Sequence, residues 1–497
     1  MNSTGTRSSL WVVWVACALL FNAPAWAQPA QPYLSPLFSD NMVLQRGMRD
    51  PVWGWTTPGA TVTVEMAGKR ATAVADASGK WMVRIGPFSA GGPFTMTIEG
   101  PEHRTLQNVM VGDVWLCSGQ SNMQMGIANV NNAAEEIAHA DYPGIRLFTV
   151  PMEVAYSPRS TVNGTWQVCT PQTVSQDGWG GFSAVAYFFG RYLHQTLNVP
   201  IGLIHSSWGG TIAEAWTSAE ALQKLPDFAE RLQQVERIRA AGESSLPANQ
   251  RRNPNVCTVL YNAMIAPLVP FGMKGVIWYQ GESNAGRAYQ YRTLLPTLIE
   301  DWRNRWGEGA FPFLIVQLAN FLPAKPEPGE DEWAELREAQ LFTAQKVPNC
   351  GLAVTIDIGD AADIHPKNKQ EVGRRLALAA LGIAYKRRIE YSGPIYKSYS
   401  REGSSIRIRF THVDGGLVAH GGALQGFAIA GPDRKFVWAQ ARIEGDTVVV
   451  WSPAVSDPVA VRYGWAINPV VNLYNREGLP ASPFRTDDWP GLTVNRK

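Results

Sequence analysis

The sequence predicts an α/β protein: a mainly parallel sheet covered by helices on both faces, with β-rich regions before and after it. Three observations lead there. Between residues 109 and 385, short apolar stretches alternate with longer stretches of helical periodicity, the pattern of repeated βα units. From Phe38 to Ile98 the period is two between turn residues, as in Thr61-Val62-Thr63-Val64-Glu65-Met66 and Trp81-Met82-Val83-Arg84-Ile85. After Tyr385 it is two again, as in Ser405-Ile406-Arg407-Ile408-Arg409-Phe410 and Thr447-Val448-Val449-Val450-Trp451.

Taken in order, residues 1–27 read as an export signal. Arg7 gives the basic start, residues 10–21 the apolar stretch, and Ala25-Trp26-Ala27 a small-x-small cleavage site. The mature chain is then expected to begin near Gln28, secreted or periplasmic, with no membrane association after cleavage. A lipid anchor on Cys17 is disfavoured because Trp14 stands where such a signal needs a small aliphatic residue. Residues 28–108 form the first β-rich region, sandwich or jelly-roll-like. Residues 109–385 form the α/β domain. Buried strands are expected at 108–116, 201–205, 275–279, 313–317 and 352–356, and helices at 184–196, 289–306, 332–346 and 368–381. The charged, Pro-rich stretch 323–332 reads as an exposed loop, and residues 386–497 form the second β-rich region.

Composition sets the outer bounds. The 497 residues are 45% apolar and 17% charged, which excludes a fibrous or disordered chain. At roughly 100–200 residues per domain, two or three domains fit this length. Forty-four basic and 42 acidic residues are interspersed, giving no basic surface for nucleic acid or an anionic membrane. Oligomeric state is not legible. Beyond the leader, Cys117, Cys169, Cys257 and Cys350 are too widely spaced to reveal a pairing or a zinc knuckle, so no structural metal is expected. Nineteen Trp residues are a mild surplus; they suit sugar stacking as well as packing.

Four segments carry chemistry, each where an α/β sheet places it, beyond a strand's carboxyl end. In the first, an apolar strand runs through Cys117-Ser118-Gly119-Gln120 into Ser121, a small hydroxyl residue on a tight turn. Serine attacks well only when exposed beside a base and oxyanion donors; alone, this turn equally suits a helix cap. The second, His205-Ser206-Ser207-Trp208-Gly209-Gly210-Thr211, ends a strand in a Gly pair whose amides are free to face a ligand. The third, Tyr279-Gln280-Gly281-Glu282-Ser283-Asn284, sets amides and a carboxylate past a buried strand. The fourth, residues 357–366, puts His365 near Asp357, Asp360 and Asp363 before a helix, as a base with its orienting acid requires.

Together the runs GQSNM, SSWGGT, WYQGESN and DIHPKNKQ resemble the four blocks of the SGNH hydrolase superfamily in the form of the sialate O-acetylesterase family. The likeness spans most of the mature chain, from FSDNMVLQR at residues 38–46 to RYGWAINP and FRTDDW between residues 462 and 489. It implies a flavodoxin-like three-layer α/β/α hydrolase domain with β-rich accessory regions at both ends. The implied activity is serine-ester hydrolysis of acetylated carbohydrate through an acetyl-enzyme, with no metal or organic cofactor. Family substrates include O-acetylated sialic acid and acetylated plant cell-wall polysaccharide, and the sequence does not choose between them.

By position the resemblance makes Ser121 the nucleophile and His365 the base. The acid is less direct: the superfamily sets Asp three residues before His, where this chain has Ala362. Asp363 is favoured as the nearest, with Asp360 the alternative; without either, a Ser–His dyad would rely on another group. His205 is a rival base. The oxyanion hole implied combines the amides of Ser121 and Gly210 with a side-chain amide, Gln280 in preference to Asn284, while Glu282 would orient its neighbours. Two other classes stand against this: a glycoside hydrolase pairing Glu282 with Asp363 or Asp301, which leaves Ser121 and His365 unexplained, and a non-catalytic carbohydrate-binding protein, against which both residues argue.

Overall fold

The computed structural model describes Met1 and residues 31–497. The export signal over residues 2–27, Cys17 included, lies outside the described residues. The spine of the largest sheet is β1 (His103–Gly119), β2 (Tyr142–Thr149), β3 (Gln167–Cys169), β4 (Ile201–Ser207), β5 (Gly275–Tyr279), β6 (Phe313–Val316) and β7 (Cys350–Ala353). Their spatial order is β7-β6-β5-β1-β4-β2-β3. Every pair is parallel except β2–β3 at one edge. From β1 the chain reaches β4 on one side and β5 on the other, so the winding reverses beside β1. In open α/β sheets a crevice forms at the carboxyl ends of such neighbours.

Helices α1 (Ala184–Leu197), α2 (Ala288–Trp306), α3 (Glu332–Lys346) and α4 (Lys369–Ile383) cover the sheet. They pack as two pairs, α1 with α4 and α2 with α3. Strands β4, β5 and β6 are buried along their whole length, which is why they read as unbroken apolar runs rather than alternating ones. Helix starts carry the caps their sequences offer. Ser183 accepts from Ala186 N, Asp331 from Trp333 N and Ala334 N, and Asn368 from Glu371 N.

The two β-rich regions join this core differently. The first half of β1 pairs antiparallel with Gly91–Glu99, and its second half enters the parallel sheet. One strand thus runs through residue 108, and Val43, Trp53 and Trp81 share a core with Trp115 and Trp278. The later region builds its own core from Ile406, Ile408, Phe427, Val448, Val461 and Phe484. Polar anchors tie it to the α/β domain. Arg337, fully buried on α3, donates to the carbonyls of Leu318, Ala319, Ala466 and Ile467 at 2.6–2.8 Å.

Several local readings differ: β1 starts at His103 rather than at residue 108, and β3 is a further strand outside the expected set. The last strand starts at Cys350, not at residue 352, because pairing runs Phe313↔Cys350 to Val316↔Ala353, after which Thr355 turns its hydroxyl onto the Gln317 carbonyl. Strand β2 was not expected at all, since Pro143, Gly144 and Arg146 break its alternation. Among the described residues the four cysteines are free thiols, and no helix is long and apolar enough to cross a membrane.

Candidate active site

The crevice beside β1 begins at Gly119. Its φ is +144°, and a Cβ there would lie 2.1 Å from the Tyr279 carbonyl oxygen, so only glycine lets the strand turn here. Gln120 then staples two blocks together. Its amide donates to Tyr279 O (2.9 Å), and its side-chain oxygen accepts from Gly281 N (3.1 Å) and Ser283 N (3.3 Å). Ser121 opens a single helical turn, Ser121–Gln124, and is half-buried. Its hydroxyl has no side-chain hydrogen-bond partner among the described residues.

The Gly pair lies against this turn. Gly209 N donates to Gln124 Oε1 (2.7 Å), and a Cβ on Gly209 would lie 3.2 Å from Ser121 Cβ. Gly210 has φ +71°, and its carbonyl is held by Asn255 Nδ2 (3.0 Å). Among the described residues, no protein acceptor meets the Gly210 N–H. It is left as a donor facing no competitor.

The third block is built otherwise than as an open donor. Gln280 is fully buried, and its amide donates to Thr211 O (3.0 Å) and to Asn284 Oδ1 (2.7 Å), while Tyr291 donates to its oxygen (2.8 Å). Both of its N–H groups are occupied. Asn284 accepts from Ala213 N (2.9 Å) and donates to Glu214 (3.0 Å), whose carboxylate is buried against Arg231 and Arg287. These two amides hold the loop after the Gly pair in shape. Glu282 accepts from Asn122 Nδ2 at 2.7 Å, and burial pushes its carboxyl above the usual range.

His365 sits on the loop between β7 and α4. Asp363 Oδ1 accepts the His365 backbone N–H (2.8 Å) and lies 3.3 Å from Nδ1. Asp360 turns onto its own loop, accepting Ala362 N at 2.8 Å, and makes no contact with the imidazole. Burial, with the Lys369 ammonium, lowers the His365 pKa, and Asp363 opposes the shift. Trp179 packs edge-on to the ring, centroids 4.9 Å apart. The sequence analysis does not single out this residue; the signal it offers is a Trp set among glycines, Gly178-Trp179-Gly180-Gly181. The turn after β1 and the His365 loop touch directly, for Asn122 donates to the Ile364 carbonyl at 3.0 Å.

His205 stays away from this gathering. It lies within β4, its Nε2 at 2.6 Å from Ser207 Oγ, and burial pushes it down to about 4. It is a neutral core residue. Asp301 is likewise committed, accepting from Ser218 N and Oγ (2.8 and 2.7 Å) to anchor a helix start, so it is not free to serve as half of a glycosidase pair.

A parallel sheet with a hydroxyl, an imidazole and a carboxylate gathered beyond its strand ends is the arrangement of a serine-type ester hydrolase. Residues 111–382 match the family model of carbohydrate esterases described as sialic acid-specific acetylesterase. Sialate O-acetylesterase of Mus musculus is 35% identical, covering 90% of this chain and 93% of its own, and that of Homo sapiens is 33% identical over 92% and 93%. The crystal structure of a carbohydrate acetylesterase from Xanthomonas citri superimposes with a TM-score of 0.82 at 42% identity, covering 92% of this chain and all of that one. The chain belongs to the sialic acid-specific acetylesterase family. It is a carbohydrate O-acetylesterase.

Proposed function

We propose that this esterase is exported and removes acetyl groups from sugars with Ser121 as nucleophile, His365 as base and Asp363 as the orienting acid. The observation that carries the reading is the convergence of Gly119–Ser121, Gly209–Gly210 and Asp363–His365 on one crevice, joined by the Asn122–Ile364 bond. Asp363 beside Nδ1 favours the tautomer with its proton there, leaving Nε2 to take the proton of Ser121. Ser121 Oγ attacks the acetyl carbonyl carbon, and the amides of Ser121 and Gly210 receive the oxyanion. Collapse breaks the bond to the sugar oxygen, which takes the proton back from His365. A water deprotonated by His365 then attacks the acetyl-enzyme, and acetate leaves as Ser121 recovers its proton. In this mechanism Gln280 and Asn284 act through the loop they brace rather than by touching the oxyanion.

The test compares wild type with S121A on 4-nitrophenyl acetate and on an acetylated oligosaccharide. Acetate release that disappears in the variant supports the assignment; unchanged release refutes it, and reducing sugar without acetate would mark a glycosidase. The substrate class is acetylated plant cell-wall polysaccharide or O-acetylated sialic acid, and acetate release from a panel of both decides between them. Export is supported by the leader at residues 1–27, and is checked by a mature N-terminus near Gln28.

A further inference from the structure

A buried polar cluster behind the reacting pair has no part in the proton transfers above. Asn122, 1% exposed, has every arm of its carboxamide engaged. Its Oδ1 accepts from Lys369 Nζ at 2.6 Å, and its Nδ2 donates to Glu282 Oε1 at 2.7 Å and to Ile364 O at 3.0 Å. The orientation is chemically fixed. Inverted, the amide would set its N–H groups against an ammonium and its oxygen against a carboxylate and a carbonyl. Lys369 is fully buried at the first position of α4, where a cation opposes the helix dipole. Its Nζ lies 5.3 Å from the centre of the Tyr279 ring. Glu282 keeps one buried oxygen, Oε2, without any partner.

Such a cluster is a poor way to gain stability. A buried ion pair is often no better than apolar packing of the same volume, and an orphaned buried oxygen costs free energy. What the cluster does provide is geometry. Asn122 directly follows Ser121, and Ile364 directly precedes His365. Among the described residues, the bonds of Asn122 to Ile364 and Lys369 are the only hydrogen bonds joining the Ser121–Gln124 turn to residues 357–369. The remaining ties of the His365 loop are to itself or to other segments, such as Gly359 N to Asn320 and Asn131 N to Lys367 O.

We propose that Asn122, held in one orientation by Lys369 and Glu282, is the positioning residue that sets His365 against Ser121. The proposal rests on Ser121 and His365 being the reacting pair. The groups facing Lys369 are Glu282, Asp363, His365 and the Tyr279 ring. Burial pushes the Lys369 ammonium down to about 7 while Glu282 and Asp363 oppose the shift, and its charge disfavours an imidazolium on His365.

The experiment measures kcat and KM on 4-nitrophenyl acetate, and the phosphonylation rate with a fluorophosphonate probe whose adduct is located by mass spectrometry. N122D keeps the acceptor for Lys369 but turns an oxygen toward Ile364 and Glu282. It should lower kcat about 10²-fold, the size expected for a misplacement of about 1 Å, with KM within about twofold, and slow Ser121 phosphonylation by the same ratio. E282Q keeps the acceptor oxygen and should retain kcat within about threefold. K369M should lower kcat by about tenfold and move the acid limb of the pH profile upward, since removing a nearby positive charge makes the imidazolium easier to form. Unchanged kcat and phosphonylation in a folded N122D overturn the proposal; if N122D does not fold, unchanged kcat and phosphonylation in a folded N122S, which lacks the bonds to Ile364 and Glu282, do so. A wild-type adduct on a residue other than Ser121 would instead overturn the underlying assignment.

Discussion

Ser121 stands at the end of a strand buried from Val111 to Gly119 and flanked on both sides by parallel neighbours, whereas His365 stands in a loop where Asp360 to Asp363 are exposed. The Ser121 turn is fixed by main-chain contacts: Gly119 against Tyr279 O, Gln120 N to Tyr279 O, and Gln120 O receiving the amides of Met123 and Gln124. The His365 loop is held by side chains reaching to backbone, among them Asp363 to His365 N, Asn320 to Gly359 N and Asn122 to Ile364 O. A backbone-built turn tolerates little but resists motion. A side-chain-built loop can be retuned one substitution at a time.

The sharpest break of this comparison removes the chemistry from either side. S121A and H365A should each lower acetate release by about 10⁴-fold or more, and the double variant should be no worse than either single one, because the two act as a unit. Additive losses, measured by steady-state kinetics, would show that the two sides act separately. Next in size is the proposed orienting acid, Asp363. D363N should lower kcat by about 10- to 10²-fold, less than for a buried triad Asp because half of this side chain is exposed. D360N should stay within about twofold, since Asp360 meets only Ala362 N.

Acid should then act on the two sides separately. The His365 pKa is lowered, so the acid limb of kcat/KM is expected below the ordinary imidazole value of about 6.5. Because Asp363 opposes that shift, D363N should carry the limb lower still. On the Ser121 side the sensor is His205, level with Cys117 in the neighbouring strand. Its folded value is pushed down to about 4 while the unfolded chain titrates near 6.5, so its contribution to stability is complete above about 6.5 and is lost as pH falls toward about 4. The loss is at most about 3 kcal/mol. Denaturant unfolding at stepped pH should show this slope, and H205Q should flatten it.

Much of this site was legible because its parts are local. A strand running into Gly119-Gln120-Ser121, a Gly pair after β4 and an imidazole with nearby carboxylates before α4 are each contained in about ten residues. The helices 288–306, 332–346 and 369–383 lie within two residues of their expected bounds for the same reason. The choice between Asp363 and Asp360 was not local, since both share the loop and only its path decides which carboxylate meets Nδ1. Gln280 shows the opposite failure. A polar amide at a strand end looks like a free donor until Thr211, Asn284 and Tyr291 take up its atoms.

The sequence by itself determined the alternation of buried strands and helices over most of the α/β domain and the four polar blocks, and it nominated Ser121 and His365, since these depend on period, turn chemistry and side-chain type. Tertiary structure alone decided which of those polar groups remain unengaged. A hydrogen-bonding group counts toward chemistry only after its buried neighbours have claimed what they need, and for Gln280 and Asn122 those neighbours come from distant segments.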